Sequence, residues 1–167
     1  ISGTGTLEAY GGQGGAGIGS GSQKGCSNIV IESGIINAHG GRWGAGIGSG
    51  NVGGSGNAGV LGGSNITING GDVTAYGGSE AAGIGGGFKG NGKDITINGG
   101  TVHAESGGGN GPVAAIGGGR VSGKGENIQI TGGNVTLKTV DDDDIYIGDG
   151  QKEAEIDTSN LLGTITK

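Results

Sequence analysis

ITINGGDVTAYGG from Ile66 and ITINGGTVHAESG from Ile95 are two copies of one unit. IVIESGIINAHGG from Ile29 and IQITGGNVTLKTV from Ile128 are looser copies. Downstream of these units stands a second block: GAGIGSG around Ile18 and Ile47, AAGIGGG around Ile84, AAIGGG around Ile116 and IYIGDG around Ile147. The five isoleucines are separated by 29, 37, 32 and 31 residues. A period of this size marks stacked supersecondary units, in which each unit buries its apolar face only against its neighbours.

Composition narrows the choice. Glycine supplies 49 of 167 residues, but there is one proline and no strict every-third-residue glycine, which excludes collagen. Disorder is disfavoured because the apolar residues alternate with polar ones in short runs that return in register one repeat later. The formal charge of −6 lies in residues 141 to 167, the rest of the chain being balanced, so nucleic acid is an unsuitable partner. No apolar run is long enough to cross a membrane as a helix, and the lone Cys26 has no internal disulfide partner. A start in mid-pattern at Ile1, without a signal peptide, suggests a processed product or a fragment of a longer chain.

An Asn or Asp precedes each apolar run: Asn28, Asn65, Asp94, Asn127 and Asn160. Stacked on successive strands, these side chains predict a structural amide ladder at a turn. A short strand such as Ile66–Ile68 follows, then a glycine bend, a second strand such as Val73–Tyr76, and the Ala-Gly-Ile-Gly block as a third side. Alternation places Ile66, Ile68, Val73, Ala75 and Ile84 inside. The predicted fold is all-β: one domain over residues 1–167, a parallel β-helix expected to wind right-handed. It has about five three-sided coils, a partial sixth begun by Leu161-Leu162, and an acidic cap over 141–167. The long second repeat carries an insertion over roughly Asn51 to Gly63 with the apolar pair Val60-Leu61, read either as a glycine-rich surface loop or as the wall of a binding site.

The outward residues of the second strand form two columns: Glu8, Asn37, Thr74, His103 and Thr136, and Tyr10, His39, Tyr76, Glu105 and Lys138. Trp43 follows on the adjacent loop. Planar rings flanked by amides, hydroxyls and a carboxylate suit a sugar, so Tyr10, Asn37, His39, Trp43, Thr74, Tyr76, His103 and Glu105 form the candidate carbohydrate site. The competing reading is that the rings merely cover a sheet face. At the acidic end, Asp142, Asp144 and Asp149 are candidate calcium ligands, against the alternative of a solvated cap.

Catalysis is disfavoured. Asp72 and Glu105, with His103 beside them, are the nearest approach to a carboxylate pair for glycoside hydrolysis, and Arg42 and Arg120 stand in no recognisable acidic setting for a lyase base. The glycine blocks lack the P-loop lysine and precede no helix. Ice binding is a minor alternative on the rows Val30, Thr67, Thr96, Gln129 and Glu8, Asn37, Thr74, His103, Thr136, both of which are interrupted. Of two sequons, Asn65-Ile66-Thr67 lies on the ladder and Asn134-Val135-Thr136 on an outer bend where a glycan could attach.

The combination of ITINGGxVxA with a following AGIGGG, over residues 1 to about 150, resembles glycine-rich β-helix repeats of extracellular bacterial proteins, often described as carbohydrate-binding-domain-containing. The cellulose- and pectate-binding members imply a secreted, non-catalytic polysaccharide-binding or adhesive module, in some cases with calcium. The alternative is a structural module, a stalk or filament subunit, in which copies of the chain self-associate.

Overall fold

The structure is a computed structural model and describes residues 1–54, 61–142, 145–150, 152–153 and 164–166. The first turn runs through β1 (Thr6–Tyr10), β2 (Ile18–Gly19) and β3 (Cys26–Ile31), the second through β4 (Ile35–His39), β5 (Ile47–Gly48) and β6 (Gly62–Ile68). The third turn has β7 (Asp72–Tyr76), β8 (Ile84–Gly85) and β9 (Asn91–Ile97). The fourth has β10 (Thr101–Glu105), β11 (Ala114–Gly117) and β12 (Gly125–Ile130). The chain continues with β13 (Asn134–Lys138), β14 (Ile145–Asp149), β15 (Lys152–Glu153) and β16 (Thr164–Thr166). Up to β14 every third strand joins one sheet, and β15 then follows β14 directly: β1-β4-β7-β10-β13-β16 form sheet A, β2-β5-β8-β11-β14-β15 form sheet B, and β3-β6-β9-β12 form sheet C. The repeat therefore folds as a parallel β-solenoid.

Register follows the repeat residue by residue. Ile29 pairs with Ile66 and Ile66 with Ile95 in sheet C, Ala38 with Ala75 and Ala75 with Ala104 in sheet A, and Ile47 with Ile84 in sheet B. These pairings stack like residues into interior columns. Ile36, Val73, Val102 and Val135 form one, and Ile47, Ile84, Ile116 and Ile147 another, all essentially without solvent exposure. The interior residues expected from alternation, Ile66, Ile68, Val73, Ala75 and Ile84, are all fully buried. Register is strongly specified because a one-residue slip would turn every such column outward.

Glycine decides the cross-section. Gly19, Gly48, Gly85, Gly117 and Gly148 stack at equivalent places with φ between +127° and +140°. A methyl group added at Gly85 would fall 2.2 Å from the Gly117 carbonyl oxygen, and one at Gly92 in sheet C would fall 2.2 Å from the same oxygen. Sheets B and C thus meet backbone against backbone, which leaves the isoleucines to fill the remaining width. The glycine blocks serve this internal close approach, not the approach of an outside surface.

Three expectations change. The winding comprises four complete three-sided turns; in the fifth, β15 pairs antiparallel to β14 before β16 returns to sheet A through Thr164, Ile165 and Thr166. The Asn/Asp column is not at a turn: Asn28, Asn65, Asp94 and Asn127 sit inside the sheet C strands at φ 62°, 51°, 52° and 52°, each a left-handed kink that Asn and Asp tolerate. The ladder also divides into two rungs, Asn65 donating to Asn28 and Asn127 to Asp94 at 2.7 Å. The Asp94 carboxylate only accepts, so it cannot pass the donation on to Asn65. Asn160 and the Leu161-Leu162 pair lie outside the described residues, as does Val60. Of the inserted stretch, Val52 is buried in the core, Leu61 is half-buried and Gly62-Gly63 already belong to β6.

Candidate functional site

Sheet A displays both predicted columns in register. Glu8 pairs with Asn37, Asn37 with Thr74, Thr74 with His103 and His103 with Thr136. Beside them Tyr10 pairs with His39, His39 with Tyr76, Tyr76 with Glu105 and Glu105 with Lys138. Asn37 donates to the Glu8 carboxylate. The Glu105 carboxylate lies 3.1 Å from the Lys138 ammonium and 3.5 Å from the His103 ring nitrogen.

The rings cover one another. Tyr10 and His39 stack with centroids 4.6 Å apart and planes 6° apart, His39 and Tyr76 at 4.7 Å and 16°, and His103 meets Tyr76 edge-on at 6.0 Å. The two stacked separations match the strand spacing, so Tyr10, His39 and Tyr76 cover one another as the turns stack. Tyr10, at the end of the stack, is 72% exposed. The expectation of ring faces open to a pyranose therefore narrows to Tyr10, since His39 lies between two rings and Tyr76 is covered by His39.

Trp43 belongs to a different place, an outer corner where the chain enters and leaves the third side. Gly14, Trp43 and Glu80 stand four residues before Ile18, Ile47 and Ile84; Asn51, Phe88 and Arg120 stand four residues after Ile47, Ile84 and Ile116. Backbone hydrogen bonds tie these positions across neighbouring turns: Asn51 N–H to the Gly14 carbonyl at 2.8 Å, Phe88 to Trp43 at 2.9 Å, and Arg120 to Glu80 at 3.1 Å. The corner thus carries two unlike pairs one turn apart. At the lower one, Arg120 donates to the Glu80 carboxylate at 2.9 Å, Asn110 donates to it at 3.3 Å, and the longer loop of the fourth turn lies over it, with Glu80 only 7% exposed. At the upper one, the Arg42 guanidinium lies 4.3 Å from the Trp43 ring centroid and the Lys89 ammonium 5.2 Å from that of Phe88. Trp43 and Phe88 are half-buried and Arg42 is exposed. Sequence reading missed Phe88, Arg42 and Lys89 as a group, and the Glu80–Arg120 pair; the matched offsets from the block isoleucines were the available signal.

A second polar column was also missed. Asn69 donates to Glu32 at 3.0 Å, Asn98 to Asn69 at 2.8 Å, and Thr131 to Asn98 at 2.7 Å. It borders sheet C on the side opposite the Asn/Asp rungs. Between them the row Val30, Thr67, Thr96, Gln129 stacks in register.

At the acidic end, the Asp149 carboxylate accepts from the Gly125 N–H at 2.8 Å and Asp141 accepts from the Gly109 N–H at 2.7 Å. Asp144 lies outside the described residues, so the calcium set of Asp142, Asp144 and Asp149 is not assembled here. Among the described residues no three His, Cys, Asp or Glu side chains gather as a metal site. Asp72 begins β7 opposite Thr101, whereas Glu105 ends β10 four residues further on. That offset is about 13 Å along the strand, beyond the roughly 6.5–9.5 Å separation of an inverting carboxylate pair. Burial pushes the Cys26 thiol up to about 11 from 9.0, which keeps it protonated and unreactive near neutrality. Asn134 is exposed at the start of β13, while Asn65 is engaged in its rung.

Comparison with curated proteins and with solved structures yields no match. The family model described as beta helix repeat matches residues 1–22, 29–51, 66–88 and 95–120. Each matched block contains a sheet A strand and the isoleucine of the third side, the same elements that stack in the interior columns. Those four blocks cover more than half of the chain, and the chain belongs to the beta helix repeat family.

Proposed function

We propose that the chain is a non-catalytic, extracellular module that binds polysaccharide along the sheet A face. The observation that carries this reading is the pair of registered columns: the stacked rings of Tyr10, His39 and Tyr76 beside Glu8, Asn37, Thr74 and His103. Stacking orders the His39 and Tyr76 rings before any ligand arrives, so they lose little side-chain entropy on binding. Donors and acceptors then recur at each turn along the solenoid axis, which suits the recurring hydroxyls of a sugar polymer. Separation of Asp72 from Glu105, and the engagement of Glu105 with Lys138 and His103, support a role without bond cleavage. The extracellular placement follows the resemblance of the repeat to glycine-rich bacterial arrays.

Retention on a panel of soluble and insoluble polysaccharides, with calcium and with chelator, tests the reading. Selective retention of a glycan, weakened about tenfold by Tyr76→Ala, is expected. Loss on chelation would add calcium to the proposal. Retention unchanged by Tyr76→Ala would remove sheet A as the site, and no retention together with large regular particles in sedimentation would assign the chain a structural, self-associating role.

A further inference from the structure

Four Asn-Gly dipeptides occur in the chain: Asn69-Gly70, Asn91-Gly92, Asn98-Gly99 and Asn110-Gly111. The dipeptide carries its own chemistry. The backbone nitrogen after an asparagine can attack the side-chain carboxamide, and a glycine there adds no side chain to hinder the approach. The fold treats the four unequally. Asn91 is 1% exposed, its side-chain oxygen accepts from the Lys124 N–H at 2.9 Å, and the Gly92 N–H donates to the Lys124 carbonyl at 2.7 Å. Asn69 and Asn98 belong to the polar column beside sheet C. Asn69 donates to Glu32 and accepts from Asn98, and Asn98 accepts in turn from Thr131, so nitrogen and oxygen of both carboxamides are held.

Asn110 stands apart from these three. It is exposed in the loop between β10 and β11, and its one side-chain bond among the described residues is the donation to Glu80 at 3.3 Å. The Gly111 N–H makes no hydrogen bond among the described residues. A cation lies beside it: a methyl group added at Gly111 would fall 3.2 Å from Arg120 Nε. Positive charge there favours the deprotonated backbone nitrogen, which is the attacking form. We infer that Asn110 is a site of spontaneous covalent modification in the folded protein. The Gly111 nitrogen loses its proton to hydroxide and bonds to Asn110 Cγ. The Cγ–Nδ2 bond breaks, and its electron pair leaves with the nitrogen, which takes a proton from water and departs as ammonia. A succinimide ring remains. Water adds at either ring carbonyl and opens it, giving aspartate or, with the backbone rerouted through Cβ and Cγ, isoaspartate. Either product replaces the amide that donates to Glu80 by a carboxylate that cannot. It also sets a second negative charge beside Glu80, at the covered pair with Arg120. The charge balance of that corner therefore changes with the age of the chain.

Peptide mass mapping of the folded wild-type chain, sampled over days in mildly alkaline buffer, reads all the sites together. Asn110 is expected to convert about tenfold faster than Asn69, Asn91 or Asn98, since each of those must first break the bonds that hold it. In denaturant, where nothing holds any of them, the rates should converge to within about threefold. Conversion at Asn110 no faster than at Asn69 and Asn98 in the folded chain would overturn the inference. So would a lead that persists unchanged in denaturant, because local sequence and not the fold would then set it. The Asn110→Asp variant presents one product directly and should unfold at lower denaturant concentration than wild type. An unchanged midpoint would overturn the coupling of the modification to the Glu80–Arg120 corner.

Discussion

Two corners of this solenoid occupy the same register one turn apart and are built in opposite ways. At Glu80 and Arg120 the charges meet each other, Asn110 adds a third bond and a longer loop shields them. At Trp43 and Phe88 the same backbone hydrogen bond is made, but the positions hold rings, and the flanking cations Arg42 and Lys89 lie over those rings. The difference teaches that the backbone of a repeat fixes where a side chain sits and leaves its chemistry free. One corner closes through an internal ion pair, and the other through cations laid on rings.

The largest effect should come from breaking the closed corner. Glu80→Ala leaves Arg120 and Asn110 without their acceptor in a mostly covered place. Since Arg120 keeps about a quarter of its side chain in solvent, a loss of about 2 kcal/mol is expected in denaturant unfolding, less than for a wholly buried pair. A cost below about 0.5 kcal/mol would mean that the pair is not closed. A sharper version moves the closed corner up one turn. Trp43→Glu/Phe88→Arg should fold with stability within about 1 kcal/mol of wild type in denaturant unfolding, because both positions are only half-buried. A loss above about 2 kcal/mol would show that the rings carry packing that an ion pair cannot replace. The smallest effect is on the stability of the aromatic corner itself. Arg42→Gln/Lys89→Gln should shift unfolding by no more than about 1 kcal/mol, since two cation–π contacts and no internal ion pair are lost; a larger shift would reveal a structural role beyond those contacts.

The solenoid was legible because its interior obeys the simplest rule available, like residues at like register. Ile, Val and Ala recur at constant offsets, and parallel pairing buries them against one another. The facing of the outer columns followed from the same alternation, which is why Tyr10, His39 and Tyr76 were placed in one line correctly. Which way the rings would turn was not legible. Strand spacing lies close to the stacking distance of aromatic rings, so rings repeated in register satisfy one another before any ligand does. Trp43 lies on the loop after β4, as expected, but its neighbour across the turns was not legible: with its φ at 71°, its carbonyl accepts from the Phe88 N–H. The calcium set stays undecided because Asp144 lies outside the described residues.

Sequence by itself determined the period, the parallel stacking, the interior columns and the two outward columns of sheet A, because each depends only on alternation and repeat length. Tertiary structure alone decided that the glycine column is where two sheets touch backbone to backbone, that the amide ladder breaks at Asp94, and that Trp43 meets Phe88 while Glu80 meets Arg120. Those facts depend on how far apart two turns lie and which way a side chain leaves a kinked backbone. Both are set by the packing of the whole coil, not by any one repeat.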